Sequence, residues 1–328
     1  MAIFNPDDYS RFSDFDIISA TYKIVSGHEI SSNILIPKRL TTQSVSSGPC
    51  PILLRVHGGG FVSGSSLFPD FFAPWYLELA SRHSAVIVTP DYRLVPESTI
   101  DDAIEDIEDF WKWVHVQLPS FVHEKTNGTI RVDTSRIMTA GDSAGGYFSL
   151  LLGLNHPEEI RAVTAAYPLI DSKSRHFVEA YEKPMFGFPQ LPASLIEEHR
   201  DKIRNGQVPS IISADPRLER AELMFGFVQN GAYKDIFPQN RRELFLLDKL
   251  DDGARFPRGG VFVWHGKGDS VVPVEGSIKL SDKLRDVDPN LKFRLAVEEG
   301  DHGFDANAKI DDEWMANGFR DLLSAWLG

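Results

Sequence analysis

Short, strongly apolar runs alternate along the chain with longer amphipathic stretches. Residues 51–57 and 85–90 are rich in large aliphatic side chains, which is typical of strands buried on both faces of a parallel sheet. Residues 18–25 and 29–37 predict an antiparallel hairpin that turns at Gly27. Further strands are predicted at residues 136–139, 160–167, 261–265 and 292–297, and a polar loop at residues 41–48.

Helical periodicity fills the intervals between these runs. The clearest example is 99–117, where Thr99 can cap the first turn, acidic residues crowd that turn, and apolar side chains recur on one face. Further helices are predicted at residues 70–82, from Ser143 to about 155, and at residues 275–286 and 308–327. Strands that alternate with helices in this way predict an α/β fold, with a central, mostly parallel sheet flanked by helices.

Residues 171–258 break this alternation, because they are rich in proline and aromatic residues and predict helices with irregular connections. We interpret this interval as a helical cap insertion within a single domain. The core of that domain covers about 18–170 and 259–328, after a short N-terminal segment, 1–17. The aromatic side chains of the insertion either form a small core of their own, which we favour, or line a ligand pocket. These aromatic residues are Tyr181, Phe186, Phe188, Phe225, Phe227, Tyr233 and Phe237.

The charge of the chain excludes some classes of partner. Its 328 residues carry a net charge of −13, from 34 basic and 47 acidic residues. Nucleic acids and anionic membrane surfaces both select cationic proteins, so we predict neither as a partner. No stretch approaches the ~20 apolar residues of a membrane span, and the first ten residues lack the apolar run of a signal peptide.

Cysteine content points to a compartment. Cys50 is the single cysteine, so no intrachain disulfide can form, and a reducing, cytoplasmic location is the prediction. Asn127 begins a glycosylation sequon, which in this context we interpret as an Asn-Gly turn in a loop.

Residues 141–145, GDSAG, satisfy the pattern G-x-S-x-G between a predicted strand and a predicted helix. The glycines are needed because a tight strand-to-helix turn leaves no room for Cβ atoms beside the serine. Such a turn lifts the Ser143 hydroxyl above the sheet and places backbone N–H groups of the helix N-terminus next to it. Ser143 is therefore the candidate nucleophile.

A second glycine-rich segment, HGGGF at residues 57–61, follows an early predicted strand. Consecutive glycines let the backbone approach a substrate closely and aim N–H groups at a developing oxyanion. Its place after an early strand and before the serine motif is the one that an oxyanion-hole loop requires. We interpret His57 as structural, bracing the loop by hydrogen bonds, because the base comes last in the expected triad order.

Four ordered motifs carry a family resemblance: HGGGF at 57–61, DYRLVPE at 91–97, GDSAGG at 141–146 and DHGF at 301–304. Together they resemble the hormone-sensitive-lipase family of esterases, from the first strands to the C-terminal helix. The resemblance implies an α/β-hydrolase fold with Gly59, Gly60 and Ala144 as oxyanion donors. It also implies that Glu97 and Asp142 support the serine loop, although a surface acid and a turn residue remain equally open interpretations.

The acid and the base follow in the order Ser, Asp, His that α/β-hydrolases use. Asp269 comes just after the strand predicted at 261–265, and His302 just after the strand predicted at 292–297. Loops at the carboxyl ends of strands are where an α/β sheet collects its chemistry. Asp301 is the alternative acid, but as the neighbour of His302 in sequence it is expected to point elsewhere.

Two features depart from the family pattern. The acid loop, HGKGDSVVP, is more similar to that of small esterases and dienelactone hydrolases than to the family's usual Asp-Pro version. The N-terminal segment is short, so the cover of the site is expected to come from residues 171–258.

The predicted function is hydrolysis of small to medium carboxylic esters through an acyl-serine intermediate, with no cofactor and no metal. The alternative is a hydrolase, thioesterase or acyltransferase that releases or tailors a polyketide-type secondary metabolite, with an acyl-carrier or synthase partner. A non-catalytic ligand receptor of the same fold is disfavoured, because such receptors lose the base and this sequence retains His302.

Overall fold

The computed structural model describes residues 5–42 and 48–328, and within them eight strands form one sheet in the order β1-β2-β4-β3-β5-β6-β7-β8. The strands are β1 (Phe15–Val25), β2 (His28–Pro37), β3 (Cys50–Val56), β4 (Val86–Pro90), β5 (Val132–Gly141), β6 (Ile160–Ala166), β7 (Val261–Gly266) and β8 (Phe293–Glu298). From β4 to β8 all neighbours are parallel, whereas β2 pairs antiparallel with both β1 and β4. The predicted mostly parallel sheet is confirmed.

Helices cover both faces of this sheet. They are α1 (Lys38–Thr42), α2 (Pro74–His83), α3 (Ile100–Val116), α4 (Leu118–Lys125), α5 (Ala144–Asn155), α6 (Arg175–Val178), α7 (Ser194–Arg204), α8 (Ala221–Gln229), α9 (Tyr233–Ile236), α10 (Leu246–Asp251), α11 (Glu275–Val287) and α12 (Glu313–Leu327). Buried side chains of α3, α5 and α11 join the core on one face of the sheet, and those of α2 and α12 join the core on the other. None of the helices in the described ranges is long and apolar enough to cross a bilayer.

Local chemistry explains several of these elements. The β1–β2 hairpin turns at Ser26 and Gly27, which both have positive φ, as a two-residue hairpin turn requires. The Thr99 hydroxyl accepts from the Asp102 amide while the Asp102 carboxylate accepts from the Thr99 amide, which is a capping box at the start of α3. Both features follow from the sequence as predicted.

Some boundaries differ from the prediction. Helix α2 begins at Pro74 instead of residue 70, because Pro69–Phe71 form a separate 3₁₀ turn and Pro74 suits a first helical position. Strand β5 begins at Val132, four residues early, where it pairs with Cys50. Helix α12 begins at residue 313 instead of 308, and α4 was not predicted. Of the polar loop predicted at 41–48, residues 43–47 lie outside the described residues.

The interval 171–258 contains α6 to α10, and its buried aromatic residues belong to the same core as one face of the sheet. The ring of Phe237, for example, packs edge-on against Phe61 and Tyr147, with centroids 5.4 and 5.5 Å apart. The favoured interpretation of a separate small core is therefore wrong for these aromatic residues, because they fill the space between the interval and the sheet. Tyr181 and Phe186 differ from the others in being exposed.

Candidate active site

Ser143 occupies a sharp turn between β5, which ends at Gly141, and α5, which begins at Ala144. Its φ of 56° and ψ of −117° are unusual for a residue with a Cβ atom and cost about 1–3 kcal/mol. Backbone hydrogen bonds hold the strained turn, because Ser143 N donates to Ala166 O at 2.9 Å and Ser143 O accepts from Tyr147 N at 3.2 Å. The turn thus presents the hydroxyl at the carboxyl edge of the sheet.

Close backbone packing explains why the residue two positions after the serine is a glycine, Gly145. A Cβ atom on Gly145 would overlap the carbonyl oxygen of Val56, the last residue of β3. Only glycine lets the first turn of α5 approach that strand so closely, so the serine is held directly beside the loop that follows β3.

The HGGG loop lies against the serine turn. The Gly58 amide donates to Asp142 Oδ2 at 3.0 Å, and a Cβ atom on Gly58 would lie 3.2 Å from Ser143 Cβ. Gly59 has a φ of 110°, and its carbonyl accepts from the amides of Val62 and Ser63, which closes a tight turn. The loop backbone is therefore next to the nucleophile candidate.

Three amide groups of the HGGG loop and the serine turn have no hydrogen-bond acceptor among the described residues. Within residues 5–42 and 48–328, the N–H groups of Gly59, Gly60 and Ala144 donate to no protein oxygen. Free N–H groups close to a nucleophile are what an oxyanion hole needs. The geometry is compatible with the role that the family resemblance implies for these three residues.

Arg55 and Asp142 form a buried ion pair under the two loops, which sequence reasoning did not find. Arg55 Nη2 donates to Asp142 Oδ1 at 2.7 Å and to Phe71 O at 2.7 Å, and Arg55 Nη1 donates to Ser66 O at 3.2 Å. Arg55 is completely buried and its guanidinium lies over the Phe72 ring at 4.3 Å. Burial raises the pKa of Asp142, and the charge of Arg55 opposes that rise.

Asp142 therefore does more than occupy a turn. Its Oδ2 holds the amide of Gly58 while its Oδ1 holds Arg55, so one carboxylate ties the HGGG loop to the serine turn. This supports the interpretation of Asp142 as a supporting residue of the serine loop.

His57 is fully buried and stacks on the Tyr92 ring with centroids 4.4 Å apart. Its Nδ1 lies 2.7 Å from Gly58 O and so carries the proton that it donates to this carbonyl. Burial lowers the pKa of His57 to about 3, so the ring is neutral at neutral pH. The contacts agree with the structural role that the sequence predicted.

Asp269 and His302 meet at the carboxyl ends of β7 and β8. His302 Nδ1 lies 2.8 Å from Asp269 Oδ2, and Asp269 Oδ1 accepts from the amides of Val271 and Val272 at 2.9 and 2.7 Å. The Asp269 side chain is fully buried, whereas the His302 side chain is 14% exposed. The acid is thus fixed by backbone amides and the histidine keeps one side open.

The pKa shifts of this pair follow from its environment. Burial raises the pKa of Asp269, but the charge of His302 and hydrogen bonds from His265 and His302 outweigh it and hold the pKa well below its usual range. Burial lowers the pKa of His302, but the charge and hydrogen bond of Asp269 reverse this, and the net shift is upward. The pair therefore favours a charged Asp269 and a more basic His302.

The carboxylate of Asp301 bonds to Ser270 and to the backbone instead of to the imidazole ring. Its Oδ1 accepts from the amides of Ser270 and His302, both at 2.7 Å, and the Ser270 hydroxyl donates to the same carboxylate at 2.9 Å. Asp301 joins the two loops that carry Asp269 and His302, and Asp269 is the acid that contacts the ring.

The backbone connects the histidine to the serine turn. The His302 ring lies against Tyr167, with centroids 4.5 Å apart, and Tyr167 directly follows Ala166, whose carbonyl holds the Ser143 amide. The negative charge of the Asp142 carboxylate also raises the pKa of His302. The structure thus collects Ser143, Asp142 and His302 at one edge of the sheet.

Glu97 occupies a different place from the one expected. Its side chain is fully buried, and its carboxylate accepts from Arg220 Nη1 at 2.8 Å, Arg220 Nη2 at 2.6 Å and His199 Nε2 at 2.6 Å. It is neither a surface acid nor bonded to the serine turn. Glu97 instead links the DYRLVPE segment to the interval 171–258, a contact between residues more than 100 positions apart that no local pattern reveals.

The same interval also contacts the site. Tyr233 Oη donates to Gly60 O at 3.1 Å, and a Cβ atom on Gly60 would lie 2.9 Å from Met224 Cγ. The ring of Phe186 lies 6.4 Å from that of His302, and the Phe186 amide donates to Ser270 Oγ at 3.2 Å. Residues 171–258 therefore flank both the HGGG loop and the histidine.

Comparison with known proteins agrees with this fold. The sequence profile of a family described as alpha/beta hydrolase fold matches residues 53–197. A probable carboxylesterase, M8 of Phoma sp., is 30% identical over 97% of this chain and 98% of its own length. The non-reducing polyketide synthase Preu6 of Preussia isomera is 31% identical over 91% of this chain, which spans only 14% of that synthase.

Solved structures show the same architecture. An esterase of Rhizomucor miehei superposes with a TM-score of 0.60 at 20% identity, covering 99% of this chain and 85% of the esterase. The Pyrobaculum calidifontis esterase superposes with a TM-score of 0.58 at 18% identity, covering 97% and 87%. The likeness to M8 over nearly the whole of both chains confirms the resemblance inferred from the four motifs, and the protein belongs to the carboxylesterase family of α/β-hydrolases.

Proposed function

We propose that this protein is a serine carboxylesterase in which Ser143, His302 and Asp269 are nucleophile, base and acid. The observation that carries the proposal is the 2.8 Å contact between His302 Nδ1 and Asp269 Oδ2 at the sheet edge where the strained Ser143 turn lies. Strain at a turn that backbone hydrogen bonds hold in place is typical of a functional site.

In the proposed reaction Ser143 Oγ attacks the ester carbonyl carbon while His302 Nε2 takes the hydroxyl proton. The carbonyl electron pair moves onto oxygen and then returns, which expels the alcohol as His302 gives the proton to its oxygen. Water repeats the sequence on the acyl-serine and releases the carboxylic acid. Asp269 keeps the proton of the neutral ring on Nδ1 and stabilises the ring when it is charged.

The free amides of Gly59, Gly60 and Ala144 are the proposed oxyanion donors. They lie on two backbone segments that Asp142 and Arg55 tie together, so their positions are set before substrate binds. Preorganised donors of this kind contribute a factor of about 10²–10³ each to kcat.

The size of the substrate follows from what flanks the site. Met224 and Tyr233 lie at Gly60, and Phe186 lies near His302, so we propose that residues 171–258 cap one side of the site. Burial of an acyl chain yields about 0.8 kcal/mol per CH₂ only while the pocket has room. We expect maximal activity near acetyl to hexanoyl esters and no interfacial activation on emulsified lipid.

A second candidate is release or tailoring of an acyl group held as a thioester on a carrier protein. The similarity to a segment of a polyketide synthase over 91% of this chain favours it. The chemistry at Ser143 would be the same, with a thiolate in place of the alcohol as leaving group. Parallel assays with aryl esters and with acyl-carrier thioesters distinguish the two candidates by their kcat/KM values.

The central test is Ser143→Ala, with Ser120→Ala on the exposed surface of α4 as the matched control. We expect Ser143→Ala to lower kcat by about 10³-fold or more, with folding retained, and to abolish labelling by a phosphonate. Ser120→Ala is expected to behave as the wild type. Wild-type turnover in Ser143→Ala would refute the proposed function.

A further inference from the structure

A second histidine contacts the proposed catalytic acid. His265, at the end of β7, is fully buried, and its Nε2 lies 3.2 Å from Asp269 Oδ2 and 2.7 Å from Val272 O. Its Nδ1 lies 2.8 Å from the hydroxyl oxygen of Ser277, a buried residue of α11. The ring is thus held on both edges.

These contacts determine where His265 carries its proton. Val272 O and the Asp269 carboxylate can only accept, so Nε2 must be the protonated nitrogen. The Ser277 hydroxyl can donate to Nδ1 and thereby favours the same tautomer. The Nε2 proton is therefore directed at Val272 O at 2.7 Å and also faces Asp269 Oδ2 at 3.2 Å, and the Ser277 hydroxyl of α11 sets the orientation of the ring.

The two oxygens of Asp269 have different partners. Oδ1 is occupied by the amides of Val271 and Val272, whereas Oδ2 is shared by the two imidazole rings of His265 and His302. A donor on a carboxylate oxygen stabilises its negative charge and so weakens its attraction for another proton. We propose that His265 is a positioning residue of this site, which acts through Asp269 Oδ2 to limit how strongly that oxygen binds the Nδ1 proton of His302.

This inference rests on the proposed function, since it assumes that Asp269 and His302 act together in catalysis. It concerns a residue to which the sequence assigned no role, although His265 is the first residue of the acid loop HGKGDSVVP and lies four positions before the acid. The proposal accounts for why a polar ring occupies the fully buried end of β7.

Other groups also influence the pKa of His302, and their contacts with the ring must be the same in every variant that is compared. Burial lowers the pKa of His302, while the carboxylates of Asp142 and Asp301 act with Asp269 to raise it, and the Tyr167 ring packs on the imidazole. In the described part of the chain Asp142, Asp301 and Tyr167 make no hydrogen bond with His265, so a change at position 265 leaves their contacts with His302 in place.

The experiment compares His265→Asn with His265→Gln. An asparagine amide can reach Ser277 but not Asp269, whereas a glutamine amide places an N–H group near the position of Nε2. His176→Asn is the matched control, because His176 contacts the same loop through Val271 O at 3.0 Å without bonding to Asp269. The pKa of His302 is measured in each protein by NMR titration with labelled histidine, assigned by means of His302→Ala.

We expect His265→Asn to raise the pKa of His302 by about 0.5–1 unit, which is the effect of losing one polar contact to Asp269. The acidic limb of the pH profile of kcat/KM is expected to shift upward by the same amount, and KM is expected to stay unchanged. His265→Gln and His176→Asn are expected to titrate as the wild type. If His265 only fills space, its loss loosens Asp269 and the pKa of His302 falls or stays constant. Either result would overturn the proposal.

Ser277→Ala provides a second measurement if His265→Asn does not fold. Loss of the hydroxyl donor weakens the hold on the ring, so a smaller upward shift in the pKa of His302 is expected, and no shift would again overturn the proposal. The NMR titration needs no turnover. If the wild-type protein hydrolysed no ester, the proposed function would be refuted. The effect of His265 on the pKa of His302 could still be measured.

Discussion

Replacing Arg55 by methionine removes the cation that faces Asp142 but keeps an apolar side chain of similar length between the Phe72 and Tyr76 rings. The variant leaves Asp142 buried with its hydrogen bond from the Gly58 amide and removes the Arg55 donors from the carbonyl oxygens of Ser66 and Phe71. Loss of one member of a buried ion pair costs about 3–5 kcal/mol. We therefore expect a large loss of folding free energy.

Urea unfolding followed by tryptophan fluorescence measures this loss. With a slope of about 3 kcal/mol/M, a cost of 3–5 kcal/mol lowers the midpoint by about 1–1.7 M. Arg131→Met, at an exposed position, is the matched control and is expected to unfold as the wild type does. The double variant Arg55→Met/Asp142→Asn is expected to recover part of the loss, because it no longer buries an unpaired charge.

The loss depends on pH in a predictable direction. Burial already raises the pKa of Asp142 in the wild type, and without Arg55 nothing of opposite charge resists that rise. A carboxyl group whose pKa is raised by folding stabilises the folded state at low pH and loses that contribution as pH rises through the raised value. The deficit of Arg55→Met is thus larger at pH 8 than at pH 5. A midpoint equal to that of the wild type at pH 8 would refute this account of the ion pair.

Two further predictions concern the acid and the pocket. Asp269→Asn is expected to lower kcat by about 10⁴-fold, whereas Asp301→Asn, which touches only the loops, is expected to cost far less; equal losses in steady-state kinetics would leave the acid unassigned. Phe186→Ala is expected to shift the acyl-length optimum of an aryl-ester panel, because its ring lies 6.4 Å from His302. Phe188→Ala serves as its control, since Phe188 stacks on Phe225 and its loss is expected to lower stability alone. Highest activity on long-chain triglyceride emulsions would contradict the proposed cap.

Much of the fold could be predicted from sequence because its rules are local. The period of apolar residues predicted the strands of the sheet, and Gly27 and Thr99 marked a hairpin turn and a helix start that the structure contains. The serine turn was equally predictable, since its backbone conformation requires small residues within five consecutive positions. The predicted boundaries were less accurate, as at α2, where a 3₁₀ turn replaces the first predicted helical turn.

In the candidate site, too, the sequence predicted some features and only the structure revealed others. Ser143, Asp269 and His302 were named from the order of strands and loops, and the structure places Asp269 on the imidazole ring and Asp301 on Ser270. This outcome depends on which way two neighbouring loops turn their side chains. The sequence could favour one acid, but only the packed loops bring its carboxylate to the ring.

Contacts between distant parts of the chain were decided by tertiary structure alone. Arg55 meets Asp142 across 87 positions, and Glu97 meets Arg220 across 123. Charged residues are ordinarily solvated, so a sequence gives no sign that these pairs are buried. Burial becomes favourable only when the sheet and the interval 171–258 pack together and each charge gains its partner and hydrogen bonds. The sequence by itself determined the local turns and the order of the reactive residues, and packing decided which side chains support them.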